Sequence, residues 1–189
     1  MALNDTSEFA RTDSPITDQH DAPAGAVSFA TGNSNLGIVL VARSARGVCA
    51  ILIGSEAGEL IADLGARFPE NTLVPDERKL QGDLDRVSRF IENPEAGLNL
   101  DLDIYGTPFQ RRVWDALCAI PSGRTVTYAA LAHRIGEPDA VRAVANACAA
   151  NALALAIPCH RVIRSDGTIS GYRWGVERKR ALLAREAQA

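Results

Sequence analysis

No pair of cysteines in this chain has Cys-x-x-Cys spacing. Cys49, Cys118, Cys148 and Cys159 stand well apart, and the three histidines, His20, His133 and His160, are scattered. That argues against a zinc site built from local spacing. The first residues, Met-Ala-Leu-Asn-Asp-Thr-Ser-Glu, offer neither a basic n-region nor an apolar h-region. A secretory signal is therefore not expected, and the thiols are expected to be reduced in a cytosol, most of them as plain buried residues. A long hydrophobic run is also missing. The most apolar stretch, Ala143 to Cys159, is rich in alanine and is broken by Asn146, Asn151 and Pro158. It is too short and too polar to span a bilayer, so no membrane partner is expected.

What is present is an ordinary globular composition, 47% hydrophobic and 23% charged over 189 residues. That length holds one domain or two small ones. The net charge of −3 conceals an asymmetry. Residues 1–100 carry 8 basic and 15 acidic side chains (8 − 15 = −7), and residues 101–189 carry 12 and 8 (12 − 8 = +4). A basic half beside an acidic one points to a polyanionic partner for the C-terminal half, although a modest excess of this kind is more often solvated surface.

Residues 1–24 are polar and aperiodic and read as a flexible tail. Val27–Thr31, Gly37–Arg43 and Val48–Ile53 are β-rich runs, with turn signals at Gly32-Asn33 and Arg46-Gly47. They predict three antiparallel strands in a meander. Helices are predicted over Glu56–Phe68 and Leu84–Glu92, the second ended by Asn93-Pro94, and an extended segment over Leu98–Ile104. Thr107, Pro108 and Gln110 form a capping-box start for the next helix, which Pro121 stops. Thr127 caps a short helix through Ile135, ended by Gly136, and Pro138 opens another to about Ala150. Two short helices joined by Gly-Glu-Pro form a helix-turn-helix pattern. Ile169–Gly171 reads as a short strand or turn, and Glu177–Arg185 as a terminal helix with Leu182 and Leu183 inward. The fold class expected is α/β (α+β): a tail at 1–24, a small antiparallel sheet with helices over 25–104, and a mostly helical part over 105–189.

The chemistry concentrates at residues 158–162, Pro-Cys-His-Arg-Val, continuing as Ile-Arg-Ser-Asp-Gly. A cysteine becomes a strong nucleophile only as thiolate, which an imidazole or cation favours and an apolar pocket opposes. Two nearby arginines suggest an anionic partner. The apolar run from Ala152 to Ile157 is expected to enter Pro158 as a buried strand. Asn151 either ties the preceding helix to the cysteine turn or is a simple C-cap. The helix at 141–150 is nearly smooth, with Arg142 and Asn146 outward among alanines. Such a helix suits close, sequence-indifferent approach to a nucleic-acid backbone; an alanine-rich core helix with a surface arginine fits the periodicity equally well.

Pro158–Val162, together with FQRRVW at 109–114, Thr127-Tyr128 with Leu131-Ala132, AVRAVANACAAN at 140–151 and SGYRWGV at 170–176, resembles the O6-alkylguanine-DNA alkyltransferases, or methylated-DNA–protein-cysteine methyltransferases. The likeness is greatest to the alkyltransferase part of regulators of the Ada type, over roughly residues 27–187. The resemblance implies that Cys159 accepts the alkyl group, that His160 takes the thiol proton through a water, and that Glu186 orients the histidine and stabilises its cation. It implies that Tyr128 protonates the leaving guanine and that Asn151 is a structural hinge. Arg142 would fill the gap left by a flipped nucleotide, with Gln110, Ser165, Arg161 and Ala140 also on the DNA side. Tyr172, Arg173 and Pro158 would wall the pocket. Double-stranded DNA carrying O6-alkylguanine would be the partner, O4-alkylthymine a second substrate, and no cofactor would be needed. The chain would act as a monomer in the bacterial cytosol and nucleoid. Residues 25–104 would be a ribonuclease-H-like module without that enzyme's catalysis.

The resemblance also has limits. Ada-type regulators carry a separate metal-thiolate domain, but only Cys49 precedes residue 118 here. The expectation is a stand-alone repair protein, or a C-terminal part, without methylation-triggered activation. Candidates for the structural zinc ligands of some eukaryotic members are not apparent either. Two other readings compete: a helix-turn-helix promoter binder, against which the smooth helix argues, and a cysteine hydrolase or acyltransferase using Cys159 and His160.

Overall fold

The computed structural model describes residues 25–169 and 171–188; the predicted tail lies outside them, as does Ser170 of the predicted turn. The architecture is mixed α/β, with a four-stranded sheet, a two-stranded ribbon and six α-helices among the described residues. β1 (Ala26–Ser34), β2 (Gly37–Arg43) and β3 (Val48–Gly54) form the expected antiparallel meander. Its first turn falls at Asn35-Leu36 instead of Gly32-Asn33, because β1 runs on to pair Gly32 with Val39 and Asn33 with Ile38. After α1 (Ala57–Arg67), β4 (Thr72–Pro75) joins the far side of β1 in parallel, giving the order β3-β2-β1-β4. The sheet is therefore not purely antiparallel.

α2 (Glu77–Glu92) starts seven residues before the predicted start at Leu84. Asp76 caps it, accepting a hydrogen bond from the Lys79 amide at 3.0 Å. Leu80, Leu84, Val87 and Ile91 supply its buried stripe. The strand register puts Gly32 and Gly54 on opposite faces of the sheet. Leu84 of α2 approaches the first and Leu60 of α1 the second. Both faces are thereby covered, and Val39–Ala42 and Val48–Ile53 are continuously buried.

The outer edge of β3 is also covered, by later parts of the chain. Val48 bridges Leu102 and Ile51 bridges Leu153, both in parallel. The Ile51 amide donates to the Ala152 carbonyl at 2.8 Å, and the Ala154 amide to the Ile51 carbonyl at 3.0 Å. The rest of the C-terminal half comprises α3 (Pro108–Cys118), β5 (Val126–Thr127), α4 (Tyr128–Arg134), α5 (Val141–Ala150), β6 (Val162–Ile163) and α6 (Val176–Glu186). The predicted capping box opens α3: the Gln110 amide donates to Thr107 Oγ1, and Gln110 Oε1 accepts from the Thr107 amide. α5 begins at Val141, three residues after Pro138, which lies in a turn with Asp139. Trp114 of α3 packs on α5 and donates its indole N–H to the Ala147 carbonyl at 2.9 Å.

Candidate active site

Ala152–Ile157 is not the predicted strand. Leu153 alone bridges β3, and residues 154–156 then turn. The Ile157 amide closes that turn on the Leu153 carbonyl at 2.9 Å. Leu155 occupies the left-handed region at φ 71° while its side chain is buried. For a leucine that conformation costs about 1–2 kcal/mol, so the turn persists because its surroundings over-determine it. Asn151, wholly buried, is the chief of these. As C-cap of α5 it accepts from the Leu153 amide at 2.8 Å and donates Nδ2 to the Ile157 carbonyl at 2.9 Å. The same Nδ2 lies 3.4 Å from Cys159 Sγ. One amide thus fixes the end of α5, the turn and the sulfur together.

The turn delivers Cys159–Arg161 as one turn of 3₁₀ helix with all three side chains buried. Burial pushes the Cys159 thiol up to about 11, while the Asn151 hydrogen bond and the Lys179 charge act against that rise. His160 is fully buried; its Nε2 lies 2.8 Å from Glu186 Oε1, and its Nδ1 has no partner among the described residues. Burial lowers the imidazole pKa and the Glu186 hydrogen bond raises it, with burial winning, so the ring is neutral at pH 7. Nε2–H then donates to the carboxylate, and Nδ1 keeps a lone pair available.

Glu186 is ionised: although burial alone would raise its pKa, hydrogen bonds from His160 and Arg161 bring it down to about 2. It is the best-connected carboxylate of the site. Arg161 donates Nε at 3.0 Å to Oε2 and Nη2 at 2.9 Å to Oε1, and the Gly123 amide donates at 3.2 Å. Gly123 has φ +70°, and a Cβ there would sit 2.9 Å from the Glu186 carbonyl oxygen, so the contact requires glycine. Arg161 also donates Nη1 to the Ile120 carbonyl at 2.5 Å. This corrects the expectation that Arg161 faces DNA: its guanidinium is consumed inside the protein, where it balances Glu186.

Sequence reasoning missed Lys179. It has no exposed surface, donates Nζ to the Val162 carbonyl at 2.5 Å, and its charge favours the Cys159 thiolate. The available signal was helical spacing: Lys179, Leu182 and Glu186, at i, i+3 and i+7, are the buried residues of α6. Leu183, expected inward, is only half-buried.

A pocket of about 330 Å³ opens on the sulfur. α5 lines one side with Ala145, Cys148 and Ala149, and Gly171, Tyr172 and Arg173 line the other, with Tyr128 and Cys159. Tyr128 is brought there by parallel pairing of β5 with β6, Val126 to Val162 and Thr127 to Ile163, which ties the start of α4 to the strand leaving the cysteine turn. Its hydroxyl donates to the Gly171 carbonyl at 3.4 Å, and burial pushes its pKa up to about 12. Tyr172 is buried edge-on to both His160 and Trp174. Pro158 is the residue preceding the cysteine turn.

The structure thus brings together Cys159, His160, Glu186, Asn151, Tyr128, Tyr172, Arg173 and Pro158. Four predicted residues lie outside this cluster. Arg142 and Ser165 are exposed, and Ala140 is the N-cap of α5. Gln110 is engaged in its cap beside a second cavity of about 360 Å³, which Asn151 lines from behind but Cys159 does not reach.

Comparison with known proteins places this geometry. Residues 108–188 match the family model described as 6-O-methylguanine DNA methyltransferase, DNA binding domain. The bifunctional transcriptional activator/DNA repair enzyme Ada of Escherichia coli is 51% identical over 170 residues, covering 90% of this chain and 48% of that protein. The chain therefore spans about half the length of that relative. The inducible methylated-DNA–protein-cysteine methyltransferase of Bacillus subtilis is 39% identical over 142 residues, covering 74% of this chain and 79% of the relative. Mycobacterium tuberculosis OGT, in a crystal structure in complex with DNA, superposes with a TM-score of 0.71 at 32% identity, covering 86% of this chain and 93% of that one. A buried Cys-His-Glu cluster open to a pocket, within a fold and sequence shared along most of the Bacillus protein, leads to one conclusion: this chain belongs to the methylated-DNA–protein-cysteine methyltransferase family.

Proposed function

We propose that this chain irreversibly transfers an alkyl group from O6 of guanine, and from O4 of thymine, in duplex DNA to its own Cys159. The observation that carries the reading is the state of the site. A buried thiol lines the pocket, and the neighbouring imidazole has Nδ1 unpaired while Nε2 is held by an ionised Glu186. With a thiol pKa near 11, little thiolate exists at rest, so a base must take the proton. His160 Nδ1 receives it, directly or through a water, and Glu186 stabilises the imidazolium. As the S–C bond forms in line, the C–O6 bond breaks and its electron pair goes to the guanine. Tyr128, kept protonated by its raised pKa, donates a proton to that base and recovers one from solvent. The thioether is stable, so each molecule acts once, and protonation of the leaving group makes a metal or organic cofactor unnecessary.

In-line attack requires the base to leave the stack, at a cost of a few kcal/mol. In our reading α4 and α5 act as a helix-turn-helix, with α5 entering the groove. Its exposed Ala143, Asn146 and Ala149 permit close approach, and Arg142 occupies the gap. Ala140, Gln110 and Ser165 would face the duplex. Residues 25–104 would form a ribonuclease-H-like module, and residues 105–189 the DNA-binding alkyltransferase part of a monomer. The work would be done in the cytoplasm; among the described residues no helix is long and apolar enough to cross a membrane.

The test is intact mass after incubation with duplex bearing O6-methylguanine. Wild type should gain one methyl group per molecule and then stop, and Cys159→Ala should gain none. A gain that survives Cys159→Ala, or turnover beyond one equivalent, overturns the assignment.

A further inference from the structure

The two walls of the cysteine pocket are both fastened to the N-terminal half through one carboxylate. Asp63 lies on α1, one turn before Arg67. Its Oδ1 accepts from Arg173 Nη2 at 2.5 Å, and its Oδ2 from Arg67 Nε at 3.3 Å. Arg173 belongs to the Gly171–Arg173 wall. Arg67 donates Nη1 to the Ala150 carbonyl at 3.3 Å, the last residue of α5, whose Ala149 lines the facing wall. The chain of contacts therefore runs from one wall through Arg173, Asp63 and Arg67 to the other. A single carboxylate serves two guanidiniums, so neither arginine has an alternative acid in this network, and the buried Arg67 Nη2 has no partner among the described residues.

We propose that Asp63 is a positioning residue that sets the width of the alkyl pocket, and through it the preference for small over bulky alkyl groups. This rests on the alkyl-transfer reading above. A methyl group makes few contacts of its own, so its approach to sulfur depends on walls held at fixed separation, and small displacements of reacting atoms are costly. A benzyl group fills the space itself and gains room when the walls relax. The α1 helix thereby acts on specificity without touching the substrate.

The experiment compares rates of methyl and benzyl adduct formation by intact mass, from duplexes carrying O6-methylguanine or O6-benzylguanine. Asp63→Asn should raise the benzyl-to-methyl rate ratio about fivefold, the upper range for a partly exposed ion pair. Arg173→Gln should do the same, the double variant should be no worse than either single one, and Asp63→Glu should restore the wild-type ratio. Thermal melting should stay close to wild type, which a merely structural role would not combine with altered selectivity. Arg173 is 39% exposed, so its substitution provides a folded variant even if Asp63→Asn does not yield one. An unchanged ratio in Asp63→Asn or Arg173→Gln, or a double variant equal to the product of the singles, overturns the proposal while leaving alkyl transfer intact. A wild type that gains no methyl group overturns both.

Discussion

The two halves of this molecule bury different things. Residues 25–104 bury apolar side chains, aliphatic and aromatic, with polar exceptions at Ser28, Asp83 and Asp103. The C-terminal half buries Asn151, His160, Arg161, Lys179 and Glu186, all in the surroundings of one sulfur. Buried charges and amides are costly unless hydrogen-bonded and paired. Concentrating five such groups around Cys159 yields a preorganised field: a neutral imidazole, a carboxylate balanced by one guanidinium, and a buried ammonium near the thiol. The N-terminal half supplies the rigid edge on which this cluster is mounted, through the Ile51 pairing with Ala152 and Ala154. Both halves have an apolar core, but only the C-terminal one adds a cluster of buried charged and amide groups around a thiol, and substitutions should separate the two contributions.

The largest effect on transfer, short of losing the thiol, is expected for Glu186→Gln. It removes the charge that would stabilise the imidazolium in the proposed mechanism, and it leaves Arg161 buried without its counter-ion. Transfer should slow by about 100-fold or more, the scale of a lost general-base contribution. A loss under threefold would show that His160 works without the carboxylate. Acid should act on the same pair. The folded pKa of Glu186 is depressed from 4.5 to about 2, so its contribution to stability is full above 4.5 and is lost as pH falls toward 2. His160 is also depressed, from 6.5. Below 6.5 the unfolded chain binds a proton that the native one does not, so stability falls there as well. In wild type, transfer should hold steady from pH 7 to below 6.5 and decline only as the imidazole protonates. Single-turnover rates across that range, with circular dichroism as the folding control, check both signs.

How much of this was legible beforehand depended on whether the determinant was local. The capping box at Thr107 and Gln110, the Thr127 cap and the three-strand meander follow from short-range pattern, and all formed. The Pro158–Val162 motif pointed to the family and to the pocket that Cys159 lines, because its signature lies in adjacent side chains. What failed was set by distant partners. β4 is four residues long and largely exposed, with no alternation to announce it; pairing with β1 makes it a strand. The first two turns of α2 are mostly charged and polar, so their helix rests on the Asp76 cap and on Leu80. Residues 152–157 read as a strand because apolar runs are common to strands and buried turns, and only the side chain of Asn151 distinguishes them. Arg161 looked like a DNA contact because its partner, Glu186, lies 25 residues away on another helix. Lys179 hid among the charges of α6.

A smaller effect, confined to one substrate, is expected for Arg142→Ala. The side chain is exposed on α5 and away from the sulfur, so it should matter only where a duplex must be opened. Transfer from duplex O6-methylguanine should fall about tenfold, within the few kcal/mol that unstacking costs. Reaction with free O6-benzylguanine base should be unchanged. Equal losses on both would remove Arg142 from the extrusion step.

The smallest effect on chemistry should come from the half that contributes the most apolar burial. Ile51 has no exposed surface, and its backbone, not its side chain, holds Ala152 and Ala154. Ile51→Ala should therefore cost about 2–5 kcal/mol of stability, as large-to-small changes in cores do. The backbone pairing should survive, and with it the position of Asn151 and the sulfur. Transfer per folded molecule, measured below the lowered melting temperature, should match wild type. A rate that fell in step with stability would mean that the sheet core transmits its packing to the cysteine turn, and the division between a burying half and a reacting half would dissolve.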